Sequence, residues 1–106
     1  MAWAFLCIAG LMEIVFAVSM KSSDGFTRLA PALLTVCTGV ASVFLLSLSL
    51  RELPVGTGYA VWTGIGAAGT AALGIALFGE SAAPMRIGFI TLILVSIIGL
   101  KLISKN

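Results

Sequence analysis

Four apolar runs, Ala2–Met20, Leu29–Leu50, Val55–Gly79 and Ile87–Ile103, leave this chain few folds to choose from. Each is close to the roughly 20 residues that a helix needs to cross a hydrocarbon core of about 30 Å. The breaks between them, "KSSDGFTR", "RELP" and "ESAAPMR", hold charges, glycine and proline where helices stop. Only 9% of the 106 residues are charged, far below the roughly 25% of soluble domains. The chain is therefore predicted to be an all-α membrane protein, with residues 1–106 forming one domain of four transmembrane helices. Almost nothing is left outside the bilayer to build a soluble catalytic or nucleic-acid-binding unit, and a net charge of +2 is too small and scattered for a polybasic surface. The first run lacks a basic leader and contains Glu13, so it reads as helix one and not as a secretory signal. Cys7 and Cys37 fall inside apolar runs and behave as small hydrophobes, with no spacing for a metal site or a disulfide framework.

"GIGAAG", Gly64 to Gly69, has the G-x-G-x-x-G spacing of dinucleotide-binding turns. That fingerprint needs a strand before it, a helix start, and an acidic residue about 20 positions on. Here the run continues apolar to Phe78, and no cofactor is expected. Small residues within a lipid-embedded helix instead let neighbouring backbones approach. At about 100° per residue, Tyr59, Trp62, Thr63, Gly66, Gly69, Thr70 and Leu73 share one arc of helix three. Tyr59 and Trp62 place polar-tipped rings inside the span, away from the interfacial ends where such rings usually anchor, which marks them as candidate ligand contacts.

Glu13 lies about two residues past the centre of its run, roughly 3 Å from the midplane at ~1.5 Å per residue, too deep to snorkel to water. A carboxylate there costs several kcal/mol unless it meets a wet cavity, a partner or a proton. Its helical face carries Leu6, Ala9, Phe16, Ala17 and Met20, with Gly10 at the edge, and no cation is near in sequence. The missing counter-charge is then the substrate. On helix two, Thr35, Thr38, Ser42 and Ser49 form one polar stripe, and Ser42, near the middle of the span, is the hydroxyl expected to serve the acid. With no histidine in the chain, proton exchange falls to this carboxylate, which can hold either a proton or a cation, each expelling the other. Asp24, Glu52 and Glu80 lie in breaks and read as solvated, while Lys101 reads as an interfacial anchor.

Transporters with midplane sites are commonly built from two inverted repeats, yet this chain has no internal repeat. Its basic residues divide evenly, with Arg51, Lys101 and Lys105 on the side of the N-terminus and Lys21, Arg28 and Arg86 on the other. Orientation is set by an excess of Lys and Arg on the cytoplasmic side, so a tie predicts insertion both ways and an antiparallel homodimer around the two Glu13 side chains. Gly88, Leu92, Val95 and Gly99 form one stripe on helix four and are the candidate dimer seam.

The first-helix glutamate in "AGLMEIVFAVSMK", the loop "DGFTRLAP", and "LPVGTGYAVWTGIGA" leading into helix three together resemble the small multidrug resistance family over essentially the whole chain. "GTGYAVWTGIGA", "GESAAPMR" and "IIGLK" look like its guanidinium-exporter subtype. The resemblance implies proton-coupled export of guanidinium ion across the bacterial inner membrane by an antiparallel dimer. By position it implies that Glu13 is shared by proton and substrate, that Ser42, Tyr59 and Trp62 line the pocket, and that Gly10 packs close to the acid. Gly64, Gly66 and Gly69 would mark a bend in helix three, and helix four the dimer contact. Phe16 departs from the exporter pattern, which usually has tryptophan there, so an indole N–H is missing beside the acid. That departure keeps two alternatives open: export of bulky quaternary ammonium ions, or service as one subunit of a paired heterodimer. A non-transporting adaptor and an uncoupled pore are the further alternatives, and no constellation in the chain suggests an enzyme.

Overall fold

A computed structural model describes residues 1–103 of the chain and has the expected all-α architecture: α1 (Ala2–Ser22), α2 (Leu29–Ser49), α3 (Val55–Phe78) and α4 (Pro84–Ile103). With 20 to 24 residues each, the helices are about 30–36 Å long and suffice to cross a bilayer. All four are apolar enough to do so.

The helix ends follow local chemistry. α4 begins at Pro84, three residues before the run of apolar residues suggested, because proline has no N–H to leave unpaired in a first turn. α3 ends at Phe78, one residue early, where Gly79 adopts the left-handed conformation (φ 66°) that closes a helix. α1 runs two residues further than the apolar run, to Ser22. The turn after it is built on buried Ser23, whose Oγ donates to Met20 O (2.7 Å) and accepts the Phe26 N–H (3.0 Å). Asp24, Gly25 and Phe26 then pass through positive φ, reversing the chain in a few residues.

α1 is the centre of the molecule, packed along α2 on one flank and α3 on the other, while α4 packs its backbone against α3 alone. The core is Ala2, Leu6 and Ala9 of α1 with Leu46 of α2, Leu53 and Val61, flanked by Trp62, Ile65 and Ile97. The result is a slab of 43 × 34 × 16 Å. A slab so thin leaves broad helix faces uncovered by its own chain, and α4 has no buried residue.

Charged residues mark the two ends of the slab. Lys101 Nζ stands 5.3 Å from the ring centroid of Trp3, and Arg51 borders a hollow with Phe5, placing both beside the start of α1. Lys21 Nζ stands 5.3 Å from the Phe78 ring and shares a hollow with Glu80 and Arg86 at the opposite end. Lys105, the sixth basic residue, lies outside the described residues.

Candidate functional site

Glu13 is about one residue past the centre of α1 as the helix is formed. It faces a cavity of 510 Å³ between α1, α2 and α3, with Phe16, Ser42 and Trp62 also on its wall. The remaining wall is an apolar flank of α2: Val36, Gly39, Val40 and Val43. Those residues recur at i, i+3, i+4 and i+7, the spacing of one helix face. That spacing is visible in the sequence, beside the more distinctive hydroxyl stripe on the adjoining face.

Glu13 Oε2 is buried and is the one such side-chain oxygen without a hydrogen-bond partner among the described residues. No basic side chain among the described residues lies within ion-pair distance of it, whereas Glu80 is paired with Arg86. The back of the carboxylate rests on α3, where a Cβ built on Gly66 would stand 2.6 Å from the carboxyl carbon and from Oε2. A hydrogen at that position is what lets the acid sit between the two helices. Gly69 receives the Ile14 side chain one turn further on, and Gly64 receives Ile97 from α4. These three glycines thus seat three different neighbours along a helix that is uninterrupted from Val55 to Phe78.

Ser42 occupies the expected wall but bonds differently from expectation. Its Oγ donates to Ala9 O (2.7 Å) and accepts the Trp62 indole N–H (2.9 Å). The single hydroxyl proton is therefore committed to a backbone carbonyl and not to Glu13. That carbonyl is also the α-helical acceptor of the Glu13 N–H, four residues on. One serine thereby joins α2, the α1 backbone just below the acid, and the α3 indole. The rest of the stripe is buried as well: Thr35 Oγ1 approaches Ser19 Oγ (2.9 Å) and Pro31 O (2.8 Å), and Thr38 donates to Leu34 O (2.7 Å). Of these, Thr35 ties α2 to α1, while Thr38 bonds back to its own helix.

Two other expected residues stand apart from the acid. Gly10 is one turn before Glu13 and meets Ile65, whose methyl would lie 2.6 Å from an added Cβ. Tyr59 stacks on Trp62 with ring centroids 5.4 Å apart and a 56° tilt, but it is 56% exposed and outside the cavity wall. Phe16 packs against α2 so closely that a Cβ on Gly39 would meet its ring edge at 2.8 Å. On α4, Gly88, Leu92 and Val95 are exposed, and a Cβ on Gly88 or Gly99 would meet nothing within 4 Å, so that stripe faces away from its own chain.

An unpaired carboxylate at the middle of a four-span slab, beside an indole and a serine, is matched by a family comparison. The sequence pattern of the Small Multidrug Resistance protein family fits residues 1–93. The chain belongs to the small multidrug resistance family. Among its curated relatives in that family, a guanidinium exporter of Yersinia pseudotuberculosis is 58% identical over 104 residues, covering 98% of this chain and 100% of the relative. A guanidinium exporter of Escherichia coli is 55% identical over 102 residues, 96% of this chain and 97% of the other. One of Citrobacter freundii is 54% identical over the same length. As a small multidrug resistance protein with four spanning helices and bacterial relatives, the chain is a multi-pass protein of the bacterial inner membrane.

Proposed function

We propose that this chain is a proton-coupled antiporter that exports guanidinium ion. The observation that carries the reading is Glu13 Oε2, buried at the cavity wall with no hydrogen-bond donor and no cation among the described residues. A carboxylate in that state is incomplete until a proton or a cation completes it, and the two cannot share it. Guanidinium suits the vacancy because its planar N–H edges can pair with both carboxylate oxygens. Release on one side leaves the acid to take a proton there, and that proton is surrendered to the next cation on the other side.

Alternating access at a single midplane site requires a second structural half. We read that half as a second copy in the opposite orientation. The thin slab, the α4 stripe of Gly88, Leu92, Val95 and Gly99 that faces away from its own chain, and the even division of basic residues all support this reading. Glu13, Ser42, Trp62 and Phe16 would then come from both copies around one chamber. Tyr59, outside the wall of a single chain, would reach the chamber only when the partner closes it. Flexing of α3 at Gly64, Gly66 and Gly69 would let the two copies exchange conformations.

A second reading is favoured by the cavity wall itself. Phe16 has no donor, and Val36, Val40 and Val43 are apolar, so the wall also suits cations carrying hydrocarbon groups. The test is transport into proteoliposomes under a proton gradient, comparing guanidinium with a bulky quaternary ammonium ion, with Glu13→Gln as control. Guanidinium flux that vanishes in the variant, with little response to the bulky ion, supports the exporter. The reverse preference assigns the broader substrate class, and flux through Glu13→Gln equal to wild type removes the mechanism.

A further inference from the structure

The side of α1 turned away from Glu13 carries a second feature. Val15, Val18 and Ser22 lie between about 140° and 200° around the helix from the acid. With Pro31 and Leu34 of α2 and Leu73 of α3, they line a groove of 500 Å³. Ser19 also borders it, with its buried hydroxyl bonded to Val15 O and Thr35, and the rest of the wall below Ser22 is apolar, with Val15, Leu34 and Leu73 each exposed. One end is different. There Arg28, the residue that caps α2, reaches back over the last turn of α1 and donates from Nη1 to Ser22 O (3.3 Å).

The Arg28 guanidinium is exposed, and no carboxylate lies within ion-pair distance of it among the described residues, Asp24 of the same turn included. Of the other two cations at this end, Lys21 is directed over the Phe78 ring and Arg86 is paired with Glu80. From Val15 to Ser22 the groove extends about 10 Å along α1, at ~1.5 Å per residue. An unpaired guanidinium at the membrane edge, with an apolar trough descending from it into the span, has the polarity of one molecule: an anion attached to a hydrocarbon chain.

We propose that this groove is a binding site for an anionic phospholipid, with its phosphate on Arg28 and an acyl chain laid between Val15, Val18, Leu34 and Leu73. A guanidinium holds a phosphate through paired N–H bonds, which sets this apart from the diffuse attraction of any cation to an anionic surface. The site is on the other side of α1 from the Glu13 cavity, and the two share no lining residue.

The experiment uses the full chain in mild detergent, titrated with phosphatidylglycerol or with phosphatidylcholine of the same acyl chains. Native mass spectrometry counts retained lipid, and thermal unfolding reports stabilisation. Phosphatidylglycerol should be retained preferentially. Arg28→Gln should weaken it about fivefold to tenfold, and Arg28→Lys, which keeps the charge but loses the planar fork, should fall between the two. Leu34→Trp should lower retention with the charge intact, whereas Lys21→Gln should leave the preference in place. Equal retention of the two lipids, or a preference unchanged by Arg28→Gln, overturns the proposal. So does an equal loss in Lys21→Gln, which would mean diffuse electrostatics. Cross-linking of Leu34→Cys between copies without lipid preference would make the groove a protein interface and overturn it too.

Discussion

Glu13 and Glu80 are the same side chain in opposite situations. Glu80 lies where α3 gives way to α4, partly exposed, with Arg86 Nη2 at 2.8 Å from Oε1 and the Gly74 backbone beneath it. Glu13 lies at mid-span with Gly66 behind it and an open cavity in front, and its buried oxygen has no partner among the described residues. Both acids rest on a glycine of α3, so close helix approach does not distinguish them. The partner does. A carboxylate completed by its own protein is structural, and one left incomplete in a low-dielectric site is available to a ligand.

The largest expected effect comes from removing the charge at the incomplete acid. Glu13→Gln should reduce guanidinium-coupled proton flux to that of empty vesicles while leaving the helices folded, measured by transport and by circular dichroism together. In the wild type, lowering pH should raise the apparent Kd for guanidinium, approaching about tenfold per pH unit once most of the acid is protonated, because protons compete for the same oxygen pair. A Kd independent of pH would break the contrast between the two glutamates at its root.

Next in size is the seat behind the acid. Gly66→Ala would set a methyl group against the carboxylate, and relief requires either α3 or Glu13 to move. Overpacking of this kind costs about 1–3 kcal/mol. Guanidinium binding, followed by isothermal titration, should weaken more than overall thermal stability falls. An unchanged affinity would show that the acid has room that the packing denies.

Ser42→Ala should follow. It leaves the Trp62 N–H and one lone pair of Ala9 O without their partner, at about 1–2 kcal/mol. Tryptophan fluorescence should report the release of the ring, with Trp3 as the constant background. The smallest effect belongs to the completed acid. Glu80→Gln breaks a pair whose side chains are 33% and 40% exposed, and such pairs contribute below about 1 kcal/mol. Transport within twofold of wild type would sharpen the comparison, and a transport loss as large as that of Glu13→Gln would end it.

Much of this was readable from residues alone, for identifiable reasons. Span number follows from run length against bilayer thickness, and that rule is indifferent to tertiary detail. The helix-two hydroxyls were legible because a polar stripe on an apolar helix has few uses, and Thr35, Thr38, Ser42 and Ser49 are all buried. Placing Tyr59 with Trp62 on one arc was correct as helix geometry, since their rings touch. Within one chain the arc places only Trp62 on the cavity wall, because an arc fixes direction around a helix and not what packs there. The Val36–Val43 flank is regular in its spacing, but apolar residues carry no mark of lining a cavity rather than facing lipid.

The sequence by itself determined that four helices cross the bilayer and that Glu13, stranded near the midplane, needs a partner its own helix does not supply. The first conclusion rests on run length against bilayer thickness, and the second on the cost of an uncompensated charge at that depth. The tertiary structure alone decided which partners were already taken. Ser42 has one proton, and only the approach of α1 and α3 assigned it to Ala9 O and left the carboxylate open. A hydrogen bond is a choice among groups that must first be brought within 3 Å or so, and spacing along a chain cannot rank them.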